Sequence, residues 1–130
     1  MQSDTSIIFA RCHEQHFAVS RVNPHTQACE DIVPPCIDRR YADFAPHPSD
    51  SSLILAVEEE HAPKDVYNRL VCLSESRVHT LHQGHSFYAY PRISSCGSFV
   101  AWVTWDHPSM PFWSSQLWVA SLLREPVPHI

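Results

Sequence analysis

The sequence predicts an all-β chain made of short antiparallel strands, and two observations lead there. Helix formers are sparse, and eleven prolines break the 130 residues every dozen positions or so, which leaves no uninterrupted stretch for a long helix. Between the breaks lie short runs rich in β-branched and aromatic residues, which is the composition of strands. A third observation, an internal repeat, groups those strands.

The runs in chain order are SIIFARC (6–12), HFAVSRV (16–22), SLILAVEEE (52–60), RLVCLSE (69–75), RVHTLHQ (77–83), FYAYPRI (87–93), SFVAWVTW (98–105) and QLWVASLL (116–123). Each is bounded by turn residues. In SFVAWVTW, Phe99, Ala101, Val103 and Trp105 fall on one side, and Val100, Trp102 and Thr104 on the other. Apolar groups on both sides predict a strand buried on both faces.

The repeat is visible in three places. Tyr41-Ala42 recurs as Tyr88-Ala89, LILAVEEEH aligns with FVAWVTWDH so that His61 falls on His107, and NRLVCLS aligns with QLWVASL within a residue; the period is 46 to 47 residues. One repeat then holds four strands, at 41–44, 53–59, 69–73 and 77–83. Four short strands in a period of about 40 to 50 residues make a β-propeller blade. Residues 6–38 are expected to end one blade, with its last two strands at 6–22; residues 39–84 form a complete blade, and 85–123 most of the next, with three strands at 87–122. The chain is therefore expected to be a partial β-propeller of about two and a half blades, because closed rings have typically about four to eight.

Charge and composition exclude several function classes. The net charge is -5 and Lys64 is the only lysine, so the basic stripe that a nucleic-acid partner requires is missing. No apolar run approaches the roughly 20 residues needed to cross a bilayer, and the opening MQSDTSIIFARC has no charged region followed by an apolar one. Five cysteines at scattered spacings, Cys12, Cys29, Cys36, Cys72 and Cys96, form neither a disulfide framework nor a C-x-x-C pair. The expectation is a soluble, cytoplasmic protein with no nucleic-acid or membrane partner.

The segment YAYPRISSCGSFVAWVTWDHPSMPFWSSQLWVA, 88–120, resembles the propeller of the prolyl oligopeptidase (S9) family, in its acylaminoacyl-peptidase-like and dipeptidyl-peptidase-like branch with TolB-like blades. Trp105-Asp106-His107-Pro108 followed by Met110-Pro111 is the most specific element. RRYADF at 39–44, VEEEH at 57–61, NRLV at 68–71 and GHSFYAYPR at 84–92 also match the family pattern, so that the resemblance covers residues 6–123. There are departures. Ser94-Ser95-Cys96-Gly97 stands where the family has S-P-D-G, Ser86 replaces a common acid, and MPFWSSQLW replaces M-P-W-D-G-T-x-L-W. The turn at 94–97 loses the capping proline and aspartate but keeps Gly97, which supplies positive φ; the fold is expected to persist with some loss of stability.

The resemblance implies that a Ser, Asp and His triad lies on a separate α/β-hydrolase domain, with the serine in a G-x-S-x-G elbow. Gly84 and Gly97 are the only glycines, so this chain has no such elbow and is expected to be noncatalytic by itself. The propeller of the family restricts the access of peptides to the hydrolase. Implied partners are a hydrolase domain or a second propeller segment, with peptide substrates reached only through full-length relatives. A stand-alone protein-binding module, or a truncated product without activity, is the alternative.

No residue is assigned a catalytic, cofactor-binding or metal-ligating role. Asp106-His107 has the residue types of a triad's orienting half, but neighbours on a strand point to opposite faces, and Glu60-His61 recurs one period earlier. Both pairs are therefore expected to pin a loop through backbone hydrogen bonds. Pro108, Met110 and Pro111 stiffen that loop, and Phe112 and Trp113 are expected to anchor it over its own blade. His79, His82 and His85 are expected to be exposed strand residues, because a three-residue step puts His79 and His82 on opposite faces. Glu58, Glu59 and Glu60 read as a solvated strand end. Cys12, Cys36 and Cys96 lack a neighbouring base or a helix N-terminus to lower a thiol pKa, so buried or idle thiols are expected.

Overall fold

The computed structural model describes residues 5–130; the start of the segment read for a leader pattern, residues 1–4, lies outside the described residues. Ten strands form: β1 (Ile7–His13), β2 (His16–Val22), β3 (Cys29–Cys36), β4 (Arg39–His47), β5 (Asp50–His61), β6 (Val66–Ser74), β7 (Arg77–His82), β8 (Phe87–Ile93), β9 (Phe99–Trp105) and β10 (Gln116–Ser121). They make three antiparallel sheets in the orders β1-β2-β3, β4-β5-β6-β7 and β10-β9-β8. No helix occurs among the described residues.

The first sheet holds three strands where the sequence suggested two, since β3 adds to β2. Its sequence, CEDIVPPC, carries two prolines and two acids, which reads as a loop. It forms because β3 is an edge strand, where a missing N–H breaks no ladder. The same rule accounts for Pro46 in β4 and Pro91 in β8, which are also edge strands, and explains why β4 runs past residue 44, where the sequence reading stopped it.

The repeat shows in the backbone. β4 carries a bulge between Ala42 and Ala45, and β8 one between Ala89 and Arg92. Each holds a non-glycine residue in the left-handed region, Asp43 and Tyr90, both at φ 55°. The Asp43 carboxylate accepts a hydrogen bond from the Tyr90 N–H at 3.3 Å, so the two bulges also touch.

Two cores flank the middle sheet. Ile54 and Ala56 of β5, with Tyr41, Val71 and Leu73, pack against Val19, Val33 and Ile8 of the first sheet. Leu53, Leu55 and Val57, with Leu70 and Cys72, pack against Tyr88, Val100, Trp102 and Leu122 on the other side. β5 is thus buried on both faces. β9 is not, contrary to expectation: Val100, Trp102 and Thr104 are buried, whereas Phe99 is 50% exposed and Ala101, Val103 and Trp105 are half-buried. The alternation was read correctly, but only one face of the third sheet has a neighbouring sheet to pack on.

Gly97 has φ 76° and donates its N–H to the Ser94 carbonyl at 2.8 Å, closing the β8–β9 turn. The turn keeps a side-chain acceptor after all, because Ser94 Oγ receives the Phe99 N–H at 3.1 Å. His47, buried at the β4–β5 turn, donates from Nε2 to the Gly97 carbonyl at 3.1 Å, locking the middle sheet to the third.

Candidate functional site

Three connections meet at one end of the sheets: the β5–β6 loop, the β7–β8 connection and the β9–β10 loop. Between them opens a cleft of about 950 Å³, whose lining includes Lys64, Tyr67, Arg69, His85, Asp106 and His107. Charged, imidazole and phenol side chains meet at this end, because antiparallel strands return alternate loops to the same edge of a sheet.

Asp106 and His107 do not pair with each other. Asp106 Oδ2 accepts a hydrogen bond from His85 Nδ1 at 2.8 Å, and its Oδ1 accepts the Ser86 N–H at 2.6 Å. The His85 hydrogen bond, followed by the Ser86 N–H, holds the Asp106 carboxyl below the usual aspartate value. The His107 ring instead meets Phe87 edge-on at 4.6 Å, and its backbone N–H donates to Ser86 Oγ at 3.3 Å. One repeat earlier the His61 N–H donates to the Asp38 carbonyl at 2.7 Å. In both repeats, then, the histidine backbone ties the end of a blade's second strand to the connection entering that blade. Ser86 Oγ accepts the His107 N–H of this tie, and the His85–Asp106 contact joins the β7–β8 connection to the β9–β10 loop.

His82 and His85 stack at 5.8 Å. They are not exposed strand residues as expected: His82 sits half-buried among Trp118, Trp102 and Tyr88, with ring centroids 4.8, 5.1 and 5.8 Å away. Burial, and then His85, hold its pKa below the ordinary histidine value. His82 at the end of β7 and His85 in the β7–β8 connection both lie against Trp118 of the third sheet, a contact that strand periodicity does not reveal. Among the described residues no group of three or more His, Cys, Asp and Glu side chains is placed to hold a metal ion.

The acidic run is only partly a solvated strand end. Glu58 is 1% exposed; it accepts the Tyr41 hydroxyl at 2.8 Å and Arg69 at 3.0 Å, with Arg39 at 3.5 Å. Tyr41 and Arg69 are its direct partners on the two flanking strands, and burial with the Glu58 charge pushes the Tyr41 phenol upward. Arg69 also bonds Glu60 at 2.6 Å and so fixes one wall of the cleft. Sequence reading passed over Arg69; its place opposite Glu58 in the β5–β6 register was the signal available.

Phe112 and Trp113 do not fold back over their blade. A turn in which the Trp113 N–H donates to the Met110 carbonyl at 2.9 Å leaves both rings 74% exposed, set edge to face at 5.4 Å. Of the thiols, Cys12, Cys29 and Cys96 are exposed, Cys36 is half-buried and Cys72 is buried. Cys96 departs from the idle default, because a hydrogen bond with Ser94, then bonds from Ser98, hold its pKa below the ordinary thiol value.

No protein-family model matches the chain, and no curated protein matches it in sequence. Solved structures do match in fold. A puromycin-hydrolyzing peptidase of Mycobacterium tuberculosis superposes at TM-score 0.78 with 24% identity, over 95% of this chain and 21% of its own. A puromycin hydrolase gives 0.72 and 23%, over 96% and 21%, and TolB from Acinetobacter baumannii gives 0.56 and 14%, over 89% and 27%. The chain is a segment of a β-propeller. The segment spans about a fifth of the length of the peptidases it matches, and its fold is the one that the sequence resemblance implied. Its cleft lies at the end where the β5–β6 and β7–β8 connections emerge, and Asp106 and His107 of the segment that carries the resemblance line it. Among the described residues there is no helix long and apolar enough to cross a membrane.

Proposed function

We propose that the chain is a noncatalytic propeller segment of a cytoplasmic serine peptidase of the prolyl oligopeptidase (S9) family, in its acylaminoacyl-peptidase or dipeptidyl-peptidase branch. Its task is to limit which peptides reach a hydrolase domain, the partner that carries the triad. The observation that supports this most is the exposed Phe112–Trp113 pair on the loop with the family motif. Adjacent exposed aromatic rings are typical anchors of protein interfaces, and a hydrolase surface is the partner that the resemblance implies.

The test supplies this chain to the hydrolase domain of a related peptidase stripped of its own propeller. The expected result is slower cleavage of long peptides relative to dipeptide substrates, lost when Phe112 and Trp113 are both replaced by Ala. Unchanged size selectivity would overturn the reading. So would labelling of this chain alone by a serine-directed fluorophosphonate probe.

The second reading, a stand-alone protein-binding module, is favoured by the exposed outer face of the third sheet, where Leu117 and Val119 stand in solvent.

A further inference from the structure

His82 and His85 are three positions apart, a step that would put them on opposite faces of one strand. β7 ends at His82, however, and Gly84 at φ 111° turns the chain beyond it. The two rings come to lie nearly parallel, with planes 11° apart and centroids 5.8 Å apart. Both rest on the third sheet. Trp118 of β10 is 4.8 Å from His82 and 5.6 Å from His85, and Trp102 of β9 is 5.1 Å from His82. Trp102 and Trp118 stack on each other in turn, and Trp118 packs with Leu81 against the core between the two sheets. The histidine stack thus joins β7, an edge strand of the middle sheet, to β10, an edge strand of the third.

A proton does different things to the two rings. His85 donates from Nδ1 to the Asp106 carboxylate at 2.8 Å and keeps that bond when Nε2 is protonated as well. No carboxylate among the described residues pairs with His82. Neutral His82 accepts the Tyr88 hydroxyl at Nδ1, 3.0 Å away; an imidazolium, a donor at both nitrogens, gives that bond up. Its charge would also stand half-buried beside a second imidazole, where like charges repel more strongly than in water. The other titratable groups at this corner are Arg69, held by Glu58 and Glu60, and Glu59, Lys64 and His107, which line the same cleft as His85.

We propose that the His82–His85 stack is an acid-sensitive latch between the middle and third sheets, closed while His82 is neutral and released when both rings carry a proton. Release frees β10 at its contact with β7 and loosens the cleft wall that His85 helps to form. The direction follows from linkage. Burial, and then His85, hold His82 below the ordinary histidine value of 6.5 in the closed form, and a freed ring regains its ordinary affinity for protons. The closed form is therefore favoured above 6.5 and loses ground as pH falls toward the lowered value. The latch goes beyond the peptidase reading and does not rest on it: either can fail without the other.

Nuclear magnetic resonance of the 130-residue chain, from neutral to acid pH, tests it by following the histidine Cε1–H signals and amide exchange corrected for its intrinsic pH dependence. His82 is expected to titrate below the ordinary histidine range. As it does, the amides of β10 are expected to lose protection several-fold while those of β5 keep theirs. His82→Gln, neutral at every pH, should hold β10 protection constant over the same range; if it fails to fold, His82→Phe replaces it, putting an uncharged ring among the tryptophans. In His85→Gln the His82 titration should move upward, since the neighbouring charge is gone. A His82 that titrates at or above the ordinary value, a titration unmoved by His85→Gln, or a loss of β10 protection that persists in the His82 variant would each overturn the latch.

Discussion

His85 Nδ1 and Asp106 Oδ2 are joined by a hydrogen bond of 2.8 Å that bridges the β7–β8 connection and the β9–β10 loop. The pair has the residue types of a triad's orienting half, and its neighbour Ser86 accepts the His107 N–H through Oγ. Asp106→Asn is therefore expected to affect stability only. Both groups reach solvent, so the loss at neutral pH is expected to be below about 1 kcal/mol. The Asp106 carboxyl titrates below its ordinary value of 3.8 in the folded chain. Its contribution is present above that value and lost as pH falls through the folded pKa. Urea midpoints of wild type and Asp106→Asn should thus differ at pH 7 and converge near the acid limit; a constant gap would refute the role of the Asp106 carboxylate.

Glu58 is the buried hub of the middle sheet. Glu58→Ala leaves the Tyr41 hydroxyl and one Arg69 contact without their acceptor, and removing one partner of a buried pair costs about 3–5 kcal/mol. The lower end is expected, because Arg69 keeps Glu60. Tyr41→Phe deletes a single hydrogen bond and should cost about 1 kcal/mol. Denaturant titration of both variants checks the order, and a neutral Glu58→Ala would contradict the network.

Gly97→Ala meets two obstacles at once. The φ of 76° disfavours any side chain, and a Cβ would come within 2.4 Å of His47 Nε2. Backbone strain of this kind costs about 1–3 kcal/mol. In a Gly97→Ala, His47→Ala double variant the steric part is expected to disappear while the φ cost stays, so the coupling energy in a double-mutant cycle should be clearly non-zero.

Two tryptophans eleven residues apart should behave in opposite ways. Trp102 is 2% exposed and stacks on Trp118 at 6.1 Å, so Trp102→Ala is expected to cost about 3–5 kcal/mol. Trp113→Ala in the isolated chain should lie within about 0.5 kcal/mol of wild type, with its effect confined to partner binding.

The thiols should separate under a maleimide reagent at neutral pH. Cys96, exposed and held below the ordinary thiol value by Ser94, is expected to react ahead of Cys12 and Cys29. Cys72, buried and pushed up to about 12, should react only on unfolding. Mass spectrometry of peptides from timed reactions reads the order directly.

Much of this fold was legible because its signals are local or periodic. Strand runs, the 46-residue period and the need for positive φ at Gly97 each rest on one segment or on two copies of one segment. β3 was missed because its prolines oppose strand structure unless the strand lies at an edge, and edge position is a property of the sheet. The candidate site was legible only in part. The Asp106-His107 dipeptide drew notice, but the partner of Asp106 is His85, 21 residues earlier, on a different loop.

By itself the sequence determined the all-β class, the place of most strands and the propeller-type grouping, because hydrophobic alternation and turn residues act over a few positions and the repeat copies them. Tertiary structure alone decided which charges are buried, which aromatic rings are exposed and which side chains meet at the cleft. Burial depends on whether a second sheet covers a face: Glu58 lies between two sheets and is enclosed with Tyr41 and Arg69, while Leu117 and Val119, on the same kind of strand, stand on the uncovered face and remain in solvent.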